Sequence, residues 1–329
     1  MAKNKEKIDS LKGKVVEFPW WDPHKELKDP IKLQISMPTY SNSINILQDS
    51  GLRQALMTSA FKDKMKPEFN FLGSDSLIPR ARDKMAAQFL EGDCEWQLQL
   101  DNDIIFPHGF GPELAAFYSN WMDKDIFDLF LNEGVFRAAL NMNAIDEILR
   151  SGIQDGKTIV GGFYFWRGGS HNFNEAASII PYNEEGGFDI EFKLRPDNYI
   201  ETDKLATGFL LVHRSVYEDI KENYPELEYH APNVIPGKSA FAFYNPSVTE
   251  EERSTKDGIE NFRFYRSEDY AFAYRAKMSG HHPCLNMNIL LGHLGTHIYS
   301  WFDRPALQKI LLETFEHPQH FMERVKNEE

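Results

Sequence analysis

The chain has 329 residues, 42% of them hydrophobic and 13% aromatic, and a formal net charge of −14 at pH 7. No Pro/Gly/Ser-rich linker divides it, so one large α/β domain is expected. Such a charge excludes attraction of a phosphate polymer by the overall field, and no apolar run reaches the ~20 residues of a membrane span. Two cysteines, Cys94 and Cys284, make neither a disulfide framework nor a metal-ligand spacing, and are expected as buried thiols in a reducing compartment.

The N-terminal MAKNKEKIDSLKGK is charged and lacks the apolar core of a signal peptide, which predicts a cytoplasmic protein. Residues 1–30 are polar and Pro-interrupted and are expected as an arm. Lys32–Met37 (KLQISM) alternates polar and apolar, the pattern of a half-buried strand, and ends at Pro38-Thr39-Tyr40. Ile44, Leu47, Leu52, Leu56 and Met57 then form a helix-period stripe, with Asn42 or Ser43 as its cap. Glu68–Leu72 is a second strand. Pro79 opens a helix whose apolar face carries Met85, Ala86 and Phe89. Trp96–Leu100 is a third strand and runs into Asp101-Asn102-Asp103. Strand and helix alternating in this way predict a three-layer α/β fold with a mainly parallel sheet.

Farther on, helix is expected over 112–150, strand over Lys157–Phe165, and shorter strands over Phe188–Leu194 and Phe209–Val212. Gly161-Gly162 inside a strand marks a close approach by a ligand or another element, or a bulge. Residues 245–262 read as a polar surface loop, Glu268–Met278 as a helix, Asn286–Leu291 as a last strand and 305–326 as helical. The pair His281-His282 before Pro283 reads as a turn.

Two carboxylates spaced i and i+2 on an extended segment point the same way, so Asp101 and Asp103 can aim at one hard divalent cation. They stand at the carboxyl end of a parallel strand, where open α/β sheets bind ligands. Asp123-Lys124-Asp125 has the same letters in a helix-like setting, where i and i+2 do not share a face; it serves as a control. Arg80 and Arg82 flank a helix N-terminus and could hold a diphosphate, or be surface charges. Tyr40 could stack on a base or anchor its loop, and Asp75 could accept from a base or ribose. Glu268 and Asp269 open a helix, one to cap it and one to accept a proton. His293, between glycines, adds a nitrogen ligand that favours Mn²⁺ over Mg²⁺, with His297 as the fallback. Trp166, Tyr299 and Trp301 offer a sugar-stacking wall or are core aromatics.

In their order and spacing these segments resemble the GT-A family of glycosyltransferases, of the kind met in phages, large DNA viruses and bacteria. The resemblance runs over roughly residues 32–300 and rests on Pro38-Thr39-Tyr40, Ile78–Arg82 (IPRAR), Gln99–Asp103 (QLDND), Leu205–Phe209 (LATGF), Ser267–Tyr270 (SEDY) and Leu291–Gly295 (LGHLG). It implies a Rossmann-like GT-A domain over 31–304, between the arm at 1–30 and a C-terminal helical segment at 305–329. It further implies sugar transfer with inversion from a nucleoside diphosphate sugar, UDP-linked, to an acceptor hydroxyl. Pro38, Thr39, Tyr40, Asp75, Arg80, Arg82, Asn102 and Gly208 would bind the donor. Asp101, Asp103 and His293 would hold Mn²⁺ or Mg²⁺, and Asp269, with Glu268 second, would be the base.

The acceptor implied is a glycan, a small hydroxylated molecule, or a hydroxymethylated base in phage DNA, the last in a host cytoplasm. For DNA, local basic patches from Lys62, Lys64, Lys66, Arg253, Lys256, Arg263 and Arg266 would have to overcome the acidic total; as solvated surface charges they need no partner. Two other readings stand beside this one. A nucleotidyltransferase would usually carry a Gly-rich basic loop where this chain has Pro-Thr-Tyr-Ser-Asn-Ser. A non-catalytic sugar-binding module would tolerate loss of Asp103.

Overall fold

The computed structural model describes residues 30–40, 42–106, 143–164, 199–231, 239–255, 258–295 and 298–299. The expectations for the arm, for helix over 112–142 and 305–326, for the strand at Phe188–Leu194, for the Asp123/Asp125 control, and for Trp166, Trp301, Lys256, His297 and the side chains of Arg253 and Tyr299 lie outside the described residues.

The chain builds β1 (Ile31–Thr39), α1 (Ile46–Thr58), β2 (Met65–Gly73), α2 (Ile78–Glu91), β3 (Trp96–Leu100) and β4 (Ile104–Ile105). Then come α3 (Ala144–Ile153), β5 (Ile159–Phe163), β6 (Tyr199–Glu201), β7 (Phe209–His213) and α4 (Arg214–Asn223). A short pair, β8 (Glu228–His230) and β9 (Ser239–Phe241), precedes a hairpin of β10 (Ser247–Thr255) and β11 (Gly258–Arg266). Last are α5 (Glu268–Met278), β12 (Cys284–Leu290), β13 (Gly292–Leu294) and β14 (Ile298–Tyr299).

Seven strands form one sheet in the order β2-β1-β3-β7-β5-β12-β6. The pairs β1/β2, β1/β3 and β5/β12 are parallel, while β7 and β6 run against their neighbours. The sheet is therefore mixed but mainly parallel. The helices cover both faces. Leu52 and Ala55 of α1 and Ile145, Ile148 and Leu149 of α3 pack with Leu33, Ile35, Leu98 and Leu211 on one side. Phe89 of α2, Val216, Tyr217 and Ile220 of α4 and Phe272 of α5 pack with Leu210, Val212 and Leu285 on the other. Neighbouring residues of β7 thus enter opposite layers, as the period of a strand requires.

Covering both faces overturns the half-buried reading of β1, whose Gln34 and Ser36 are as enclosed as Leu33 and Ile35. The stripe assigned to α1 is also corrected. Ile44, Leu47 and Met57 are exposed, and the buried positions are Gln48, Gly51, Leu52 and Ala55. The cap is Asn45, whose side chain accepts from the backbone N–H groups of Leu47 and Gln48. Residues 245–262 are not a loop but most of the β10/β11 hairpin, paired from Ser247–Arg266 to Thr255–Gly258. A Cβ on Gly162 would lie 2.8 Å from Ile289 Cγ2 and Phe209 Cδ1, so neighbouring strands' side chains require the glycine. Both cysteines are buried, and burial pushes the Cys94 and Cys284 thiols up to about 11 and about 12.

The layer between the sheet and α2/α4 holds a polar network. Gln97 Nε2 donates to Ser36 Oγ at 2.8 Å, and Tyr217 Oη donates to Gln97 Oε1 at 2.5 Å. Gln99 Nε2 donates to Tyr217 Oη at 2.9 Å and also to Tyr244 Oη. Asp83 on α2 accepts from the Tyr244 backbone N–H at 2.9 Å. Burial pushes the Asp83 carboxyl up to about 7, against the pull of the Tyr244 N–H and Arg275. A carboxyl raised above its unfolded value stabilises the fold below the unfolded pKa and loses that contribution as pH rises through 7. Asp83→Asn keeps the acceptor oxygen and removes the charge. Between about pH 5 and about pH 8 the wild type should lose urea-unfolding stability relative to this variant; equal losses in the two proteins would refute the assignment.

Candidate active site

The order β2-β1-β3 reverses direction beside β1, because β1 is followed by β2 on one side and β2 by β3 on the other. At such a switch point the loops leaving the strands part and open a crevice. The loops after β1, β2 and β3 meet there. Asn42 and Ser74, both with positive φ (56° and 59°), are joined by Asn42 Nδ2 donating to Ser74 Oγ at 2.6 Å.

Asp101-Asn102-Asp103 does not continue β3 as an extended segment. Ile104 N–H returns to Asp101 C=O at 3.2 Å, which makes a turn. Asp101 faces α2: its N–H bonds Gly208 C=O at 2.9 Å, and its Oδ1 accepts from Arg82 Nη2 at 2.8 Å. Asp103 faces β13, because β4 pairs with β13 and Leu294 N–H donates to Asp103 C=O at 2.7 Å. This brings His293 Nε2 to 3.5 Å from Asp103 Oδ1. The extended backbone assumed for the i,i+2 spacing is thus replaced by a turn. The ligand atoms of Asp101, Asp103 and His293 do not all come within 4.8 Å of one another; among the described residues Glu68, Asp93 and Cys94 do.

Arg82 is neither a surface charge nor an open diphosphate arm. It is 2% exposed, its Nη1 donates to Gln99 Oε1 at 3.2 Å, and its Nε lies 4.0 Å from Asp269 Oδ1. Burial alone would pull the guanidinium down, but Asp101 and Asp269 beside it hold it above the usual arginine value. Asp269 stands in the first turn of α5. Thr207 Oγ1 donates to its Oδ1 at 2.7 Å and the Thr207 N–H reaches its Oδ2 at 3.4 Å. Burial pushes the Asp269 carboxyl up to about 6, against Arg82 and Thr207. Glu268 beside it is partly exposed.

Gly208 closes the cluster. Its N–H donates to Tyr164 Oη at 2.8 Å, and a Cβ there would run into that hydroxyl and lie 3.2 Å from Asp101 Oδ2. The Tyr164 ring meets His293 edge-on at 5.4 Å. Tyr164 is buried, and burial first, then Asp101 and Asp269, push its phenol well above its usual value.

Several donor-site expectations fall elsewhere. Asn102 is spent on the scaffold: its Oδ1 accepts from Asn45 N–H at 2.7 Å and its Nδ2 donates to Ser43 C=O at 2.9 Å. Asp75 is buried and taken by Arg80 (2.7 Å) and Lys84 (2.8 Å), with Leu77 N–H at 3.1 Å. The Arg80 guanidinium holds its carboxyl well below the usual range. Pro38 and Thr39 belong to β1 and are buried, whereas Tyr40 is exposed at the strand's end. Arg266, expected on a basic patch, is 2% exposed, paired with Asp203 at 3.0 Å and stacked on Tyr274. Thr207, Gln99 and Tyr164 had no role assigned in advance, although Thr207 and Gln99 lie inside segments that carried the family resemblance.

No protein-family model and no curated protein matches the chain. Among solved structures, the chain is similar to the one titled "Crystal Structure of A197 from STIV", with 13% identity over 80% of this chain and 86% of that one, and a TM-score of 0.38.

Replacing Arg82 by Met would leave Asp101 and Asp269 facing each other without their counter-charge. Because both carboxylates are partly exposed, the loss of stability should be about 2–3 kcal/mol, below that of a fully buried pair. Arg82→Met with Asp269→Asn should lose less than the sum of the two single variants; additive losses in urea unfolding would show that the pair is uncoupled.

Proposed function

We propose that the chain is a metal-dependent glycosyltransferase that moves a sugar from a nucleoside diphosphate sugar, UDP-linked, to an acceptor hydroxyl with inversion. The observation that carries this reading is the gathering of Asp101, Asp103 and Asp269 at the carboxyl end of the sheet. Buried Arg82 binds two of them and His293 lies against the third. Three carboxylates against the single positive charge of one guanidinium leave an excess of negative charge that favours a divalent cation.

The donor atoms suit Mn²⁺ before Mg²⁺, since His293 offers an imidazole. Asp103 and His293 are the pair near enough to share it. Asp101 has Oδ1 committed to Arg82, while its Oδ2 lies beside Gly208. When bound, the cation would neutralise the departing diphosphate. Exposed Tyr40 is the donor contact retained from the first-strand segment. Asp269 would take the proton of the acceptor hydroxyl as its oxygen bonds the anomeric carbon and the bond to the diphosphate breaks. Thr207 and Arg82 would hold that carboxylate in place for the transfer.

Thermal shift with a panel of nucleoside diphosphate sugars tests the reading first: a donor should raise the melting temperature with Mn²⁺ present and much less without it. Asp103→Asn and His293→Ala should each lose that metal dependence. Asp269→Asn should still bind donor and metal while transfer falls at least ~10²-fold. Turnover near wild type in Asp269→Asn, or the absence of any metal-dependent donor binding, would overturn the proposal.

A further inference from the structure

Among the described residues the strand β2 ends the seven-stranded sheet, with β1 as its neighbour on one side. Of its nine residues Met65 is buried, while Phe69 and Phe71 are 47% and 46% exposed. Their rings stack at 5.7 Å and 13° on the face that Met65 shares. Asn70 points the opposite way and donates to Gln88 Oε1 of α2 at 2.9 Å.

The pairing with β1 settles which backbone groups face outward. Ile31 N–H donates to Lys64 C=O at 2.7 Å, and Ile31 is in register with Met65. In a parallel ladder, Lys64 and the even-numbered residues of β2 then direct N–H and C=O toward β1. Met65, Pro67, Phe69 and Phe71 direct theirs toward the other edge, where no strand pairs among the described residues. Proline at 67 fits this, because its missing N–H falls on the side without a ladder.

We propose that two copies of this chain pair their β2 strands antiparallel, about a two-fold axis through Asn70, into one continuous sheet. The axis puts Phe69 opposite the partner's Phe71, and Phe71 opposite the partner's Phe69. Both residues turn N–H and C=O outward, so the two pairs exchange four hydrogen bonds. All four phenyl rings lie on one face, where cross-strand aromatic pairs add to the apolar burial. Pro67 falls opposite the partner's Gly73, at the margin of the pairing, so its missing donor loses one peripheral bond on each side. Glu68 stands across from the partner's Leu72 and Lys66 from the partner's Ser74, so no like charges oppose each other. The contact is isologous and closes at two copies, which removes an edge that would otherwise template open-ended association. A net charge of −14 on each copy opposes the encounter, so association should strengthen as salt screens it.

Sedimentation of the full chain over roughly a hundredfold concentration range, at low and high salt, tests this. A monomer–dimer equilibrium is expected, tighter at high salt. Hydrogen exchange should show the Phe69 and Phe71 amides gaining protection with concentration, while those of Glu68 and Asn70, already bonded to β1, stay unchanged. Phe71→Pro removes an outward N–H without touching the ladder to β1, and Phe69→Lys/Phe71→Lys charges the exposed face. Both should be monomeric with a melting temperature near wild type. A monomer at every concentration overturns the proposal, as does a dimer that survives Phe71→Pro. So does protection of both amides in a monomer, which would mean that the chain covers its own edge.

Discussion

The guanidinium of Arg82 is the point on which the candidate site depends. It is buried at the first turns of α2, and three groups from different parts of the chain converge on it: Gln99 within β3, Asp101 just beyond β3, and Asp269 at the start of α5. A cation removed from water in this way is tolerated when opposite charge and hydrogen bonds replace its hydration. The same contacts hold two carboxylates from remote segments in one place. Behind Arg82, Gln99 is fixed by the Tyr217 and Tyr244 hydroxyls, and Gln97 by Ser36 and Tyr217. The site is thus supported by a polar layer inside the molecule rather than by loops alone.

That layer explains why the sheet was easier to read from the sequence than the site. Trp96–Leu100 and Glu268–Met278 were placed at their observed bounds, and Pro79 marked the start of α2 within a residue, because periodicity and capping are local signals. Gln34, Ser36, Gln97 and Gln99 are also part of an alternating pattern, and alternation with polar residues ordinarily means water on one side. Here the polar face meets tyrosines that lie 118 and 145 residues away from Gln99 in the chain. No local pattern announces a partner so distant. The hairpin at 247–266 was missed for a different reason: its run of Thr, Glu and Arg has the composition of a loop, and cross-strand pairing alone makes it a strand pair.

The acidic motif shows both the reach and the limit of spacing arguments. Its position at the carboxyl end of β3 followed from strand assignment, and that is where Asp101 and Asp103 stand. Their common direction assumed that the strand continued. Instead the chain turns, and β13, a strand remote from β4 in the sequence, is the element that brings His293 beside Asp103 through pairing with β4. The consequence is chemical. Asp101 lies beside Arg82, which also faces Asp269, whereas Asp103 lies beside His293, so the two carboxylates stand in different electrostatic surroundings.

Asp269 links this division to the rest of the fold. Its helix follows directly on β11, whose last residue, Arg266, is buried, bonded to Thr249 at 2.9 Å and to Asp203 at 3.0 Å, and stacked on Tyr274 of α5. One arginine therefore anchors the root of the hairpin to the helix that carries Asp269, and another, Arg82, receives the carboxylate at the far end of that connection. Thr207 adds a hydroxyl and a backbone N–H from the segment before β7. A carboxylate held by the Thr207 hydroxyl and N–H and faced by Arg82 has little rotational freedom left to lose, so little of any ligand's binding free energy would be consumed in ordering it. The function proposed above draws on that preorganisation more than on the identity of any one acidic residue.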